Sequence, residues 1–406
     1  MSLFPLIASN RSIPRPDVAV TERQARRLRY IYRGITLITF SVMVISILAC
    51  SLPAYSAERP PSAICIDAET GLVLYEQNAD MPRPPASMVK MMLMLMVAEG
   101  LERGDWSLET KVTVSRNAQR MGGSQAWLAH GEVYPLGHLM ALVAVASAND
   151  GAMAVADGLW GSETAYLADA NHRAKELGMT DSEFHSVHGL PPSPGERPDK
   201  TTARDMAQLA RHCVRKPIIM EWVGQKEVRL DTNGFHKTNT NKLLWRMDDC
   251  DGLKTGWTCA AGFCLTATAR RNNVRLIVVV MGQPSRRERF VHARRLLESC
   301  FSQVRRVRVV RRGDLVGEPI AVSSKTPDDT IRLSAAEDLW VTVKPGDIHR
   351  LRVQAIPGES LNSTLNTGGN FGEVRVLLAE RILASGPLTV SPHLSAILWP
   401  FGAGSE

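Results

Sequence analysis

Two hydrophobic rhythms run along the chain. The first is long. After a short hairpin-like start, in which the strand 63–67 is answered by 72–75 across the turn Ala68-Glu69-Thr70-Gly71, the apolar positions gather into helix-length runs. Met91-Met92-Leu93-Met94-Leu95-Met96-Val97 follows Pro84-Pro85 and contains no breaker, which predicts a helix starting near Ser87 and buried almost all round. Apolar helices are predicted over 135–146 and 152–159, separated by Ser147-Ala148-Asn149-Asp150-Gly151. Amphipathic ones follow over 163–177, closed by Gly178, and 202–212. The second rhythm is short. Residues 252–258, 262–269 and 274–281 read as successive strands, the last buried on both faces, with a closing helix over 290–301. The succession of strands, helical block, strands and helix predicts an α+β layered domain over 61–303.

From residue 304 the apolar segments shorten further and alternate. The stretches 307–310, 331–333, 340–343, 350–353 and 374–379, set between Gly and Pro turns, predict a small all-β domain over 304–390. Arg305, Arg306, Arg308, Arg311 and Arg312 offer either a solvated strand face or a contact for an anionic partner. The tail 391–406 is apolar and proline-broken. It suits packing, disorder or a weak membrane-surface contact.

The N-terminal end has its own pattern. Residues 1–33 finish in an arginine cluster, and the uncharged run 35–52 is just long enough to cross a bilayer. Arginines on its N-terminal side put that side in the cytoplasm and export the rest. A cleaved signal peptide ending near Ala57, an uncleaved anchor within 34–57, and a lipoprotein processed at Cys50 remain open. The expected location is the periplasm, free or on the inner membrane.

Length and charge add bounds. A chain of 406 residues, 44% hydrophobic and 22% charged, accommodates two or three globular domains. The net charge of +7 suits an anionic surface or substrate and calls for no nucleic acid. The 7 cysteines include no Cys-x-x-Cys, and the histidines no His-Glu-x-x-His. His185 and His188 lack an obvious third ligand and read as loop or packing residues; no metal or cofactor is expected. In an oxidising compartment disulfides persist, and Cys250 and Cys259, flanking a strand, are a candidate pair.

Three short motifs carry chemistry. Ser87-Met88-Val89-Lys90 sets a hydroxyl and an amine three residues apart, on one face of a first helical turn. A lysine on so apolar a helix is costly unless partnered or deprotonated, and a neutral lysine can activate a serine. Ser147-Ala148-Asn149 falls at a helix break, where a loop can present side chains to a cleft. Lys254-Thr255-Gly256 lies on a strand, where glycine lets a ligand backbone approach. Alone, each reads as an N-cap, a helix link or a hairpin; in this order and context they point to one site.

With Ile66-Asp67-Ala68-Glu69-Thr70-Gly71, Arg83-Pro84-Pro85-Ala86-Ser87, Gly122-Gly123-Ser124-Gln125, Ala174-Lys175-Glu176-Leu177-Gly178-Met179, His188-Gly189-Leu190-Pro191 and Asp251-Gly252-Leu253-Lys254-Thr255-Gly256, the chain resembles the serine D-alanyl-D-alanine carboxypeptidases, the low-molecular-mass penicillin-binding proteins. The resemblance is strong over 60–303 and looser beyond. It implies an antiparallel sheet packed by helices, with a helical insert carrying Ser147 and Asn149, followed by a small β domain. It implies Ser87 as acylated nucleophile, Lys90 as base, Ser147 and Lys254 in proton delivery to the leaving amine, and Asn149 on the substrate amide and Lys90. The backbone N–H groups of Ser87 and Trp257 would form an oxyanion hole, Thr255 would bind the terminal carboxylate, and Arg289 stands near the family's arginine. The implied partners are peptidoglycan stem peptides ending in D-Ala-D-Ala and, as inhibitors, β-lactams.

Departures from the family pattern are Met88-Val89 for Leu-Thr, Ala148 for Gly, and Trp257 where His or Tyr is common. A class A-like β-lactamase would want Ser-Asp-Asn, a deacylating glutamate and no β domain. A non-turnover penicillin sensor and a DD-endopeptidase stay open as alternatives.

Overall fold

In the computed structural model, residues 60–323, 326–358 and 371–390 are described. The readings for 1–33, for the 34–57 segment with Cys50, and for the tail 391–406 lie outside the described residues.

The chain opens with β1 (Ser62–Asp67), buried throughout, and β2 (Val73–Gln77), joined by a turn in which Gly71 takes a left-handed φ of 67°. A 3-10 turn, Ala86–Val89, then leads into α1 (Lys90–Arg103). The predicted helix is therefore present, but its first turn is wound tighter than α, so Ser87 sits on 3-10 backbone and Lys90 opens the α-helix proper. The cause is local. Pro84 and Pro85 donate no N–H, and Ala86 is held at a φ of 49°.

The helical block follows. β3 (Lys111–Thr113) pairs with β4 (Val133–Pro135) around α2 (Arg116–Gln119). Then α3 (Leu136–Ala141) widens into a π-helical turn, Leu142–Ala146, which stops at Ser147. The break before the next helix is shorter than the pattern suggested, because α4 (Asn149–Trp160) begins at once. α5 (Glu163–Glu176) ends before Gly178, whose φ is 74°. α6 (Ala203–Cys213) is capped by the Thr202 hydroxyl, which accepts from Asp205 N. α7 (Pro217–Gly224) and the hairpin β5 (Glu227–Leu230)–β6 (Phe235–Thr238) lie where the hydrophobic pattern predicts no element.

β7 (Cys250–Thr258), β8 (Gly262–Arg271) and β9 (Val274–Gln283) complete one antiparallel sheet in the order β2-β1-β9-β8-β7. α8 (Arg286–Gln303), capped by the Ser285 hydroxyl accepting from Glu288 N at 3.0 Å, crosses its outer face. Period-two alternation divides the interior. Ile277, Val279 and Met281 of β9 enter the core shared with α1 and the helical block, while Leu276, Val278 and Val280 enter a second core with Phe290, Leu297 and Cys300 of α8. Cys250 and Cys259 stand at opposite ends of β7 as free thiols. They do not pair, since an extended strand of that length separates them by roughly 25 Å or more, far beyond disulfide reach.

From residue 305 the described residues are almost wholly β. β10 (Arg305–Val310), β11 (Ile320–Ser323), β12 (Thr326–Ile331), β13 (Leu333–Ala335), β14 (Leu339–Val343), β15 (Leu351–Pro357), β16 (Gly372–Leu378) and β17 (Arg381–Val390) enclose a third core that includes Val341, Val343, Val374, Val376 and Leu388. Among the described residues this is an α+β domain followed by an all-β region. The β1–β2 turn joins the two: Leu72 packs on both the second and third cores, Arg381 Nη2 donates to Thr70 O at 2.9 Å, and Arg306 Nη1 pairs with Glu69 at 2.7 Å.

Leu93 lies in the middle of α1 with no exposed surface. Leu93→Ala removes that packing and leaves a cavity, so the expected loss of stability is about 2–5 kcal/mol, read as a lower urea midpoint at unchanged slope.

Candidate active site

The site is assembled where the start of α1, the turn between the π-helical segment and α4, a loop around residue 188 and the strand β7 converge. Its centre is the Lys90 amine, on a side chain with 0% exposure. Nζ lies 3.1 Å from Ser87 Oγ, 2.7 Å from Asn149 Oδ1 and 2.7 Å from the His188 carbonyl. An ammonium donates to all three. A neutral amine has two N–H groups and one lone pair. The two protons then serve the oxygens of Asn149 and His188, which can only accept, and the lone pair is left for the Ser87 hydroxyl. Burial pushes the Lys90 pKa well below the ordinary lysine value, and the nearby charge of Lys254 pushes it further. Asp199 and Asp150 oppose the shift more weakly.

Asn149 is fixed at both ends. Its Nδ2 donates to Gly122 O at 2.7 Å, which assigns Oδ1 to Lys90, and its backbone N–H donates to Ser124 O at 2.7 Å. Asp150 clamps the same loop by accepting from the N–H groups of Ala126 at 3.0 Å and Leu128 at 3.1 Å. Ser147 is buried with a φ of 62°, and its hydroxyl has no hydrogen bond among the described residues, leaving it available to a ligand.

On β7, Lys254 and Thr255 are buried. Lys254 Nζ donates to Thr255 O at 3.0 Å, and burial, then the Arg289 charge, lowers its pKa to about 7. Gly256 has a packing reason to be small. A Cβ there would stand 2.7 Å from Pro85 O and 3.1 Å from Ala86 Cβ, so the glycine lets the strand lie against the nucleophile's own turn. Trp257 is 53% exposed and stacks on Phe263 with centroids 5.7 Å apart. Arg289 is buried between Phe263 and Phe290, and its Nη1 donates to Gly256 O at 3.1 Å and Cys264 O at 3.3 Å. It braces the strand. Burial draws its pKa down to about 10.

A model of the peptidase family described as D-alanyl-D-alanine carboxypeptidase matches residues 51–285. The chain belongs to this family. A carboxypeptidase of Bacillus subtilis, DacF, is 31% identical over 373 residues, covering 91% of this chain and 94% of that protein. Penicillin-binding protein 5 of Haemophilus influenzae superposes with a TM-score of 0.67 at 27% identity, over 81% of this chain and 95% of the other. Penicillin-binding protein D2 of Listeria monocytogenes, solved in an ampicillin-bound form, is 30% identical with a TM-score of 0.54, over 59% of this chain and 96% of its own.

Two contributors carried no role in the sequence reading. The His188 carbonyl accepts from Lys90, while its ring is neutral near neutrality, with a pKa brought to about 4 by burial and then the Lys90 charge, and its Nδ1 accepts from Leu190 N at 3.0 Å. Gly189 makes that approach possible, because at its φ of 78° a Cβ would fall 2.1 Å from Ala86 O. The only available signal was the glycine in His188-Gly189-Leu190-Pro191, since a carbonyl has no letter of its own. Asp150 likewise stands in the sequence only as part of a helix break.

The positive charge of Lys254 helps to keep Lys90 deprotonated. Lys254→Ala is therefore expected to raise the Lys90 titration midpoint, followed by NMR of isotope-labelled lysine; an unchanged or lower midpoint contradicts the coupling.

Proposed function

We propose that the chain removes the terminal D-alanine from peptidoglycan stem peptides ending in D-Ala-D-Ala, through an acyl-enzyme on Ser87, and that penicillins acylate the same hydroxyl. The observation that carries this reading is the buried Lys90 amine against Ser87 Oγ, with its two other partners both pure acceptors. Ser87 attacks the carbonyl of the penultimate D-alanine as its proton passes to Lys90. The N–H groups of Ser87 and Trp257 stabilise the oxyanion. Ser147 relays a proton to the leaving amine with help from Lys254, and the C–N bond breaks to free D-alanine. Asn149 holds the substrate amide as well as Lys90. Thr255 and the Lys254 charge receive the terminal carboxylate, and Arg289 supports them from behind the strand through Gly256 O rather than by direct contact. Water then hydrolyses the ester by the same base.

On this reading the 34–57 segment exports the chain or anchors it to the inner membrane, with residues 61–303 catalytic and 304–390 a separate β domain on the outer side.

The decisive experiment incubates the protein with a pentapeptide stem and, in parallel, with labelled penicillin. Loss of one alanine and a penicilloyl adduct on Ser87 are expected by mass spectrometry. Rapid penicillin hydrolysis without alanine release would instead mark a β-lactamase, and a stable adduct without peptide turnover a sensor. Ser87→Ala should abolish both signals, and Lys90→Met should slow acylation by roughly 10²–10⁴-fold, the usual contribution of a general base.

The pH dependence has two limbs. Lys90 acts as the neutral amine, so kcat/KM rises with pH through its lowered pKa. Lys254 acts as the cation, so kcat/KM falls as pH rises past about 7, its free-enzyme value. A profile still climbing at pH 9 would contradict the assignment of Lys254.

A further inference from the structure

The arginines near 305–312 are not used by the catalytic site. On β10, alternation sends Arg306 and Arg308 to one face. Trp340 of β14 lies opposite Arg308 in the register, and the two guanidinium carbons stand 5.6 and 5.4 Å from its ring centroid. Beside this face rises the tip of the β8–β9 hairpin, with Asn272 and Asn273 in left-handed conformations at φ 49° and 61°. A cleft of about 470 Å³ lies between them, lined by Arg270, Asn272, Asn273, Arg306 and Trp340.

The charges in the cleft are unequal. Arg306 is tied to Glu69 at 2.7 Å and to Asn273 O at 2.8 Å, and Arg308 is paired with Asp338 at 3.0 Å. Arg270 is exposed, reaches only Asn273 Oδ1, at 3.4 Å, and has no carboxylate partner among the described residues. The cleft thus combines one uncompensated guanidinium, a half-buried indole and exposed amide side chains. An indole packs on the apolar face of a pyranose, amides serve hydroxyl and N-acetyl groups, and a free guanidinium takes a carboxylate. A nucleic acid would call for a run of uncompensated cations, whereas Arg306, one of the two arginines lining the cleft, is already neutralised, as is its neighbour Arg308. A lipid surface would call for protruding apolar side chains, whereas this surface is concave and polar.

The position matters as well. Residues 264–266 of β8 pair with Lys254–Gly256 at the catalytic end of the sheet, while Arg270 and the tip that follows lie at its other end. A ligand held here does not compete with a peptide at Ser87. We propose that this cleft is a second binding site, for a carboxylate-bearing N-acetylated sugar-peptide segment of the wall polymer. The proposal rests on the wall-directed substrate argued above. Such a site raises the effective concentration of stem peptides at Ser87 when the substrate is polymeric and leaves small substrates unaffected.

The test titrates the full chain calorimetrically with N-acetylmuramyl-L-alanyl-D-glutamate and with the neutral disaccharide N,N′-diacetylchitobiose. Saturable binding of the acidic ligand is expected, weakened about tenfold in Arg270→Ala and in Trp340→Ala, the scale of one charge-assisted hydrogen bond or one lost ring contact. The neutral sugar should bind wild type at least tenfold more weakly. Unchanged affinity in both variants, or equal affinity for the neutral sugar, overturns the proposal. D-alanine release from a soluble pentapeptide, run beside it, should be the same in wild type and both variants. If wild type releases none, the catalytic reading fails, whatever the calorimetry shows.

Discussion

A lysine amine sealed from water is the constraint around which this molecule is arranged. Lys90 is carried on α1, whose next seven residues, Met91–Val97, are all buried. The Lys90 side chain is itself without exposed surface, so its stability depends on what the surrounding chain supplies. Three oxygens arrive from three different segments: Oγ from the 3-10 turn, Oδ1 from the start of α4, and a carbonyl from residue 188. A second lysine, on β7, adds repulsion. The balance favours the neutral amine, and the serine is its one partner with a proton to give.

Holding those oxygens in place requires unusually close backbone approach. Side chains at positions 123, 189 and 256 would meet Asn149, the backbone at residues 86–87, and Pro85, respectively. The strain is accepted at Ala86 and Ser147, both left-handed without being glycine. Asp150 and Arg289 work one layer out. The first gathers the N–H groups of the 126–128 loop and the second gathers the carbonyls of β7 and β8.

Much of this was legible in the letters, for identifiable reasons. Ser87 and Lys90 stand out because a lysine is conspicuous on a methionine-rich helix, and the β9 run because strands buried on both faces show unbroken apolar residues. Asn149 is legible as a polar residue in a break between apolar helices. His188 is not, because its working atom is a carbonyl and its side chain misdirects toward metal chemistry. Gly256 was legible as a point of close approach; that the nucleophile's own turn, at Pro85 and Ala86, also packs there was not. α7 and the β5–β6 hairpin escaped notice because their apolar runs are too short to show a period. The candidate cysteine pair failed because closeness in sequence on an extended strand means distance in space.

The alternation along β9 has an evolutionary consequence. Its successive side chains supply two different cores, one beneath the catalytic residues and one beneath α8. Adding or deleting a single codon there would exchange the contents of those cores from that point on. The central strand can drift in residue identity among aliphatics but hardly in length, whereas the loops at the sheet margins can lengthen without disturbing Lys90. Changes that leave both cores intact are therefore steered to exposed positions such as Trp257, while the buried amine and its three oxygens depend on one another.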